Sequence, residues 1–150
     1  MNKKIYVVTS LLLMFCGVFF SCKSNRSNVY GYFESKFNFV ENSSPKYIFI
    51  YKTPGCSLCN QKMLEDIEKL TLKDNFYLLL ISHYPYSEME NKNTLFLKKK
   101  FKDHFAIEKT DDYQKVNLKL KRSGILKIDK RQITKKLDYS DEKVEIESIL

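Results

Sequence analysis

Two of the four cysteines, Cys56 and Cys59, are separated only by Ser57 and Leu58. Thiols at that spacing on a helix lie one turn apart, within reach of a reversible disulfide. Thr53-Pro54-Gly55 breaks the chain just before them and an amphipathic stretch follows, so the pair is predicted to open a helix. First-turn N–H groups and the helix dipole then place partial positive charge beside Cys56 and favour its thiolate. Cys59 shares an apolar stripe with Met63, Ile67 and Leu70, which turns it inward. This predicts Cys56 as the nucleophile in thiol–disulfide exchange and Cys59 as the thiol that resolves the mixed disulfide. Such chemistry requires no bound cofactor.

Two other uses of the pair are open. A structural disulfide is one, although closing so short a loop constrains the unfolded chain little. Metal binding is the other, and needs further ligands, of which His83 and His104 are the candidates. Their spacing from Cys56 and Cys59 does not match a zinc finger. Soft thiolates with imidazole suit copper, so a copper site would draw on Cys56, Cys59 and His83. Both histidines also read as ordinary surface residues. The Lys98–Lys102 cluster reads as a solvated helix face, with contact to lipid headgroups as the sharper option. Tyr84-Pro85-Tyr86 could line a groove.

The elements that must position the cysteines follow from hydrophobic pattern. Lys46-Tyr-Ile-Phe-Ile-Tyr51 and Phe76-Tyr-Leu-Leu-Leu-Ile81 are unbroken apolar runs of β-formers, as expected of parallel strands buried on both faces. A helix from Cys56 to about Leu72 connects them, long enough for a parallel crossover. A second helix is predicted from Pro85 and Ser87 to Phe101, with Leu95, Phe96 and Phe101 inward. A third runs from Thr110-Asp111-Asp112, taken as its N-cap, to Lys121. Ile125–Ile128 and Gln132–Lys135 form a hairpin around Asp129-Lys130, and Ser140-Asp141-Glu142 caps a last helix. The aromatics of residues 29–44 fit neither a helix nor a strand period and predict only a packed N-terminal extension. The result is an α/β chain with a central mixed sheet, βαβ then ββα, flanked by helices.

That order, with Cys56-Ser-Leu-Cys59 opening the first helix, resembles the thioredoxin superfamily over roughly residues 45–150. The segment Tyr47–Leu64 carries the resemblance most strongly, and within the superfamily it looks most like membrane-anchored extracytoplasmic thiol–disulfide oxidoreductases. The resemblance implies partners bearing protein thiols or disulfides in the cell envelope. It also implies a cis-proline beside the cysteines, just before the hairpin strand. Here no proline follows Pro85, and Ser123 or Gly124 takes its place in what the family uses as a substrate groove.

The N-terminus sets an address. Lys3 and Lys4 precede sixteen mostly apolar residues, Ile5 to Phe20, and the sequence turns polar after Ser21-Cys22. This is the layout of a secretory signal, and the small residue before Cys22 resembles a bacterial lipobox. The division expected is a signal peptide over 1–21, lipidation at Cys22, a tether and extension over 22–44, and a thioredoxin-like domain over 45–150. An uncleaved anchor, slightly short for a membrane span, or plain secretion would place the domain on the same extracytoplasmic side. Residues 22–150 carry 24 basic and 18 acidic side chains, a net of +6 that suits an anionic membrane surface. Basic charge also suits nucleic acid, a partner the leader argues against.

Overall fold

A computed structural model describes residues 27–37, 39, 45–83, 91–139, 146, 149 and 150. The leader, Cys22 and the Tyr84-Pro85-Tyr86 motif lie outside the described residues. Among the described residues no helix is long and apolar enough to cross a membrane.

Five strands form one sheet: β1 (Lys46–Thr53), β2 (Phe76–Ser82), β3 (Phe105–Lys109), β4 (Gly124–Asp129) and β5 (Gln132–Asp138), in the order β3-β2-β1-β4-β5. β1 runs parallel to β2 with Phe49 opposite Leu78, and antiparallel to β4 with Phe49 opposite Ile125. β2–β3 is parallel and β4–β5 antiparallel. A parallel βαβ unit joined through its first strand to an antiparallel hairpin is the thioredoxin-like arrangement, and β3 adds a parallel edge to it.

The two apolar runs are central because both their faces are covered. Odd-numbered β1 residues Tyr47, Phe49 and Tyr51 pack with Cys59, Met63 and Ile67 on one face. Even-numbered Ile48 and Ile50 pack with Phe33, Phe37 and Leu118 on the other. Strand alternation thus serves two cores at once.

The second core includes a helix where the sequence predicts only a packed extension. Residues Ser27–Phe37 form helix α1, and its Tyr30, Phe33 and Phe37 are buried against the sheet. Their spacing of three and four is helical; Tyr32, an aromatic off the stripe, obscured it. The segment is therefore a layer of the fold.

Helix α2 spans Ser57–Lys69, shorter than expected at its C-terminal end. Helix α3 spans Lys92–Phe101, capped by the Asn91 side chain, which accepts from the N–H groups of Asn93 and Thr94 at 3.1 and 3.0 Å. The expected start of this helix lies outside the described residues. Its inward stripe is Thr94, Leu97 and Phe101, and Leu95 is 51% exposed, so the predicted stripe was off by part of a turn. Lys98 and Lys99 are exposed, while Lys100 Nζ donates to the Glu68 carbonyl at 2.7 Å.

Strand β3 had no counterpart in the sequence reading: five residues ending in Glu108-Lys109 offer too short a pattern. Glu108, itself buried, holds this edge by accepting from Tyr32 Oη at 3.2 Å and pairing with Lys36. Helix α4 covers only Thr110–Lys115, with Lys109 as an N-cap making no side-chain bond, so Thr110-Asp111-Asp112 is its first turn rather than its cap. Left-handed backbone at Asn117 and Lys119 ends it and turns Leu118 and Leu120 into the core. The predicted hairpin forms, but its turn is Lys130-Arg131, one residue beyond the expected Asp129-Lys130; both residues have positive φ, as a tight two-residue turn requires. The predicted last helix falls largely outside the described residues, though Ile146 and Ile149 are buried in the first core.

Candidate active site

Pro54 and Gly55 turn the chain out of β1 so that α2 begins at its C-terminal end. A Cβ at Gly55 would lie 2.6 Å from the Lys52 carbonyl oxygen, so the tightness of this turn requires glycine. Cys56 is the N-cap of α2, and its sulfur accepts the Cys59 N–H at 3.3 Å. Thus a backbone donor and the positive end of a helix meet at one sulfur. Cys56 and Cys59 are joined in a disulfide with Cα atoms 5.2 Å apart. Cys56 is half-buried, whereas Cys59 is only 2% exposed. Ser57 and Leu58 between them are exposed, Leu58 to 69%.

The loop before β4 stands beside this pair. Arg122 Nη1 lies 3.6 Å from the Cys59 sulfur. The Ser123 hydroxyl donates to Asn60 Oδ1 at 2.5 Å and accepts the Lys52 N–H at 2.9 Å. Asn60 Nδ2 donates to the Lys52 carbonyl at 2.9 Å, closing a ring of hydrogen bonds among three segments. Ser123 is 2% exposed and its backbone carbonyl accepts from Tyr139 N at 2.9 Å. Ser123 and Gly124 therefore sit beside the cysteine helix, but both are buried, and Lys121 and Arg122 form the exposed part of the loop. Gly124 permits close strand contact, since a Cβ there would lie 2.3 Å from the Leu137 carbonyl oxygen. A cis peptide does occur near the cysteines, at Thr53–Pro54, on the strand side of the pair.

His83 is exposed at the end of β2, with its backbone N–H donating to the Thr53 carbonyl at 3.3 Å. His104 lies at the opposite end of the sheet, its Nδ1 3.0 Å from the Phe76 carbonyl oxygen and its ring stacked on Tyr77. Among the described residues no three His, Cys, Asp or Glu side chains cluster to hold a metal ion, so His83 is not brought to the cysteines as a ligand set.

Sequence reasoning missed Arg122, Asn60 and Lys52. Asn60 lies off the apolar stripe of Cys59, Met63 and Ile67, where a polar side chain is expected to face water, yet it is buried, with its amide nitrogen and oxygen each hydrogen-bonded. An asparagine directly after a cysteine carries no local signal of that contact. Arg122 and Cys59 are 63 positions apart, and only the antiparallel pairing of β1 with β4 unites them.

No protein-family model matches the chain, and no curated protein matches it. A solution structure of a Bacteroides vulgatus protein, proposed to be a thiol–disulfide oxidoreductase, is similar at 13% identity and a TM-score of 0.37. The match covers 68% of this chain and 66% of that one, just under two thirds of that protein's chain. Strand order and direction, not this likeness, define the fold.

Proposed function

We propose that the chain is a thiol–disulfide oxidoreductase of the cell envelope, exchanging disulfides with other proteins through Cys56 and Cys59. The observation that carries the reading is the asymmetry of the pair: one sulfur reachable at a helix N-terminus, the other enclosed behind it.

In the oxidising direction a substrate thiolate attacks the Cys56 sulfur. The Cys56–Cys59 bond breaks, a substrate–Cys56 bond forms, and Cys59 leaves as a thiolate beside the Arg122 guanidinium. A second substrate thiolate then attacks the substrate sulfur of the mixed disulfide and expels Cys56 as a thiolate, which the Cys59 N–H and the helix dipole favour. Two electrons pass from the substrate dithiol to the cysteine pair. The reducing direction is the reverse, with Cys56 attacking and Cys59 resolving. A further redox protein of the envelope restores the starting state.

The leader supports the address: a signal peptide over 1–21 and lipidation at Cys22 would hold the domain against the outer face of a bacterial membrane. The reading is tested by poising the protein in glutathione or dithiothreitol buffers and following thiol alkylation. A single two-electron transition is expected. Cys59→Ser should accumulate mixed disulfides through Cys56, and Cys56→Ser should not. A pair that stays oxidised, or stays reduced, across the whole range of buffers overturns the reading.

A further inference from the structure

A cavity of about 320 Å³ opens between the first turn of α1 and the β4–β5 hairpin. Val29, Tyr30, Ile128 and Ile133 give it apolar walls, while Arg131 and Lys136, both exposed, give it cationic ones. No acidic side chain lines it among the described residues. The Arg131 guanidinium lies 5.4 Å from the centre of the Tyr30 ring, which braces it against the wall. Lys136 Nζ donates to the Leu118 carbonyl at 2.9 Å, and an ammonium carries two further donors. Around the cavity, residues 127–136 hold Lys127, Lys130, Arg131, Lys135 and Lys136 against one carboxylate, Asp129. In α1, Glu34 and Lys36 offset each other.

This combination is complementary to the surface of an anionic bilayer. Lipid phosphates match the guanidinium and ammonium donors, and Val29 and Ile133 offer apolar contact to the glycerol and upper acyl region. Chain length points to the same occupant. Cys22 precedes Val29 by seven residues, a span of at most about 25 Å. Lys23 and Arg26 add two cations along that span. A membrane that holds Cys22 therefore lies within short reach of the cavity. The sheet then sets the direction of the cysteines. Ile128 pairs with Lys46 at the start of β1, whereas Cys56 follows the far end of that strand. The length of β1 separates them, roughly 25 Å.

We propose that this cavity and the basic residues around it dock on an anionic phospholipid bilayer and hold Cys56 at the end of the domain away from it. The choice of a bilayer rests on the address proposed for the leader; it does not depend on thiol exchange at Cys56 and Cys59.

The chain has no tryptophan, so a single indole reports its own surroundings. Gln132→Trp places one at the cavity and Leu58→Trp one beside the cysteines, both at exposed positions. Each full-length variant is mixed with vesicles of phosphatidylcholine alone, or of phosphatidylcholine with phosphatidylglycerol, carrying brominated acyl chains as quencher. The indole of Gln132→Trp is expected to shift to the blue and be quenched on the anionic vesicles only. About 1 M salt, with a Debye length of about 3 Å, should reverse this. The indole of Leu58→Trp should stay unquenched on the same vesicles. Adding Arg131→Gln and Lys136→Gln to Gln132→Trp should lower the docked-to-undocked ratio about tenfold or more, since each basic group near an anionic surface contributes about fivefold. Equal quenching of Gln132→Trp on neutral and anionic vesicles, equal quenching of the two reporters, or no effect of the paired glutamines each overturns the proposal. A shift of Gln132→Trp with duplex DNA but not with anionic vesicles assigns the patch to nucleic acid and overturns it too. None of these readouts uses a thiol, so a failure here is distinct from a failure of Cys56 and Cys59 to cycle.

Discussion

The guanidinium of Arg122 lies 3.6 Å from the sulfur of Cys59, the enclosed member of the disulfide. A fixed positive charge at that distance favours the Cys59 thiolate and hence the reduced pair. Arg122 is on the exposed side of its loop, so water and salt screen part of the effect. Arg122→Gln is expected to lower the reduction potential by about 10–30 mV, where about 30 mV is tenfold in a two-electron equilibrium. Arg122→Lys should restore most of the shift, which a purely structural contribution would not. A potential in Arg122→Gln equal to that of the parent protein would remove Arg122 from the redox centre.

Ser123 ties the loop before β4 to the strand before the cysteines. In Ser123→Ala the Lys52 N–H and Asn60 Oδ1 lose their buried partner together. Urea unfolding should register a loss of about 1–3 kcal/mol. Combined with Asn60→Ala, the losses should be less than additive, because both remove the same bond. Independent, additive effects would mean that the ring of hydrogen bonds is not a unit.

Alkaline stability follows from Tyr32. Burial, reinforced by the charge and hydrogen bond of Glu108, raises its phenol well above the ordinary value. The folded protein therefore keeps a proton that the unfolded chain releases above about pH 10. Its contribution is fully present below that pH and is lost as pH rises further. Burial of Tyr113, with help from Asp138, acts in the same direction, while Lys52 acts oppositely because its folded value is lowered. Stability of Tyr32→Phe should thus decline less steeply than that of the parent between about pH 10 and 11. Parallel curves for the two proteins would contradict the assignment.

The proposed lipidation of Cys22 is tested by metabolic labelling. Cells fed a clickable palmitate should label the intact chain and not Cys22→Ala, and the variant should leave the membrane fraction. Labelling that persists in Cys22→Ala would refute Cys22 as the modified residue.

Much of the fold is legible in local pattern because burial on two faces leaves a plain trace. The runs 47–51 and 76–81 are apolar at every position, so their place at the centre of the sheet follows from the sequence. The cysteine pair at a strand–helix junction follows from the break at Thr53-Pro54-Gly55 and the stripe through Met63 and Ile67. Elements whose pattern is short or mixed were not legible. Helix α1 hides its stripe among extra aromatics, and β3 is a five-residue edge whose identity depends on Leu78–Ser82 being alongside.

The sequence by itself determined the chemistry on offer: two thiols one helical turn apart, the second on an apolar stripe. Tertiary structure alone decided what surrounds them. Helical and strand periods report which face of an element is buried, but they carry no information about which distant segment will cover it. Arg122 beside Cys59, Ser123 against Asn60, and Lys52 reaching toward Tyr113 are all contacts across more than sixty positions of chain or between separate elements. Their pairing follows from strand order, which no local spacing encodes.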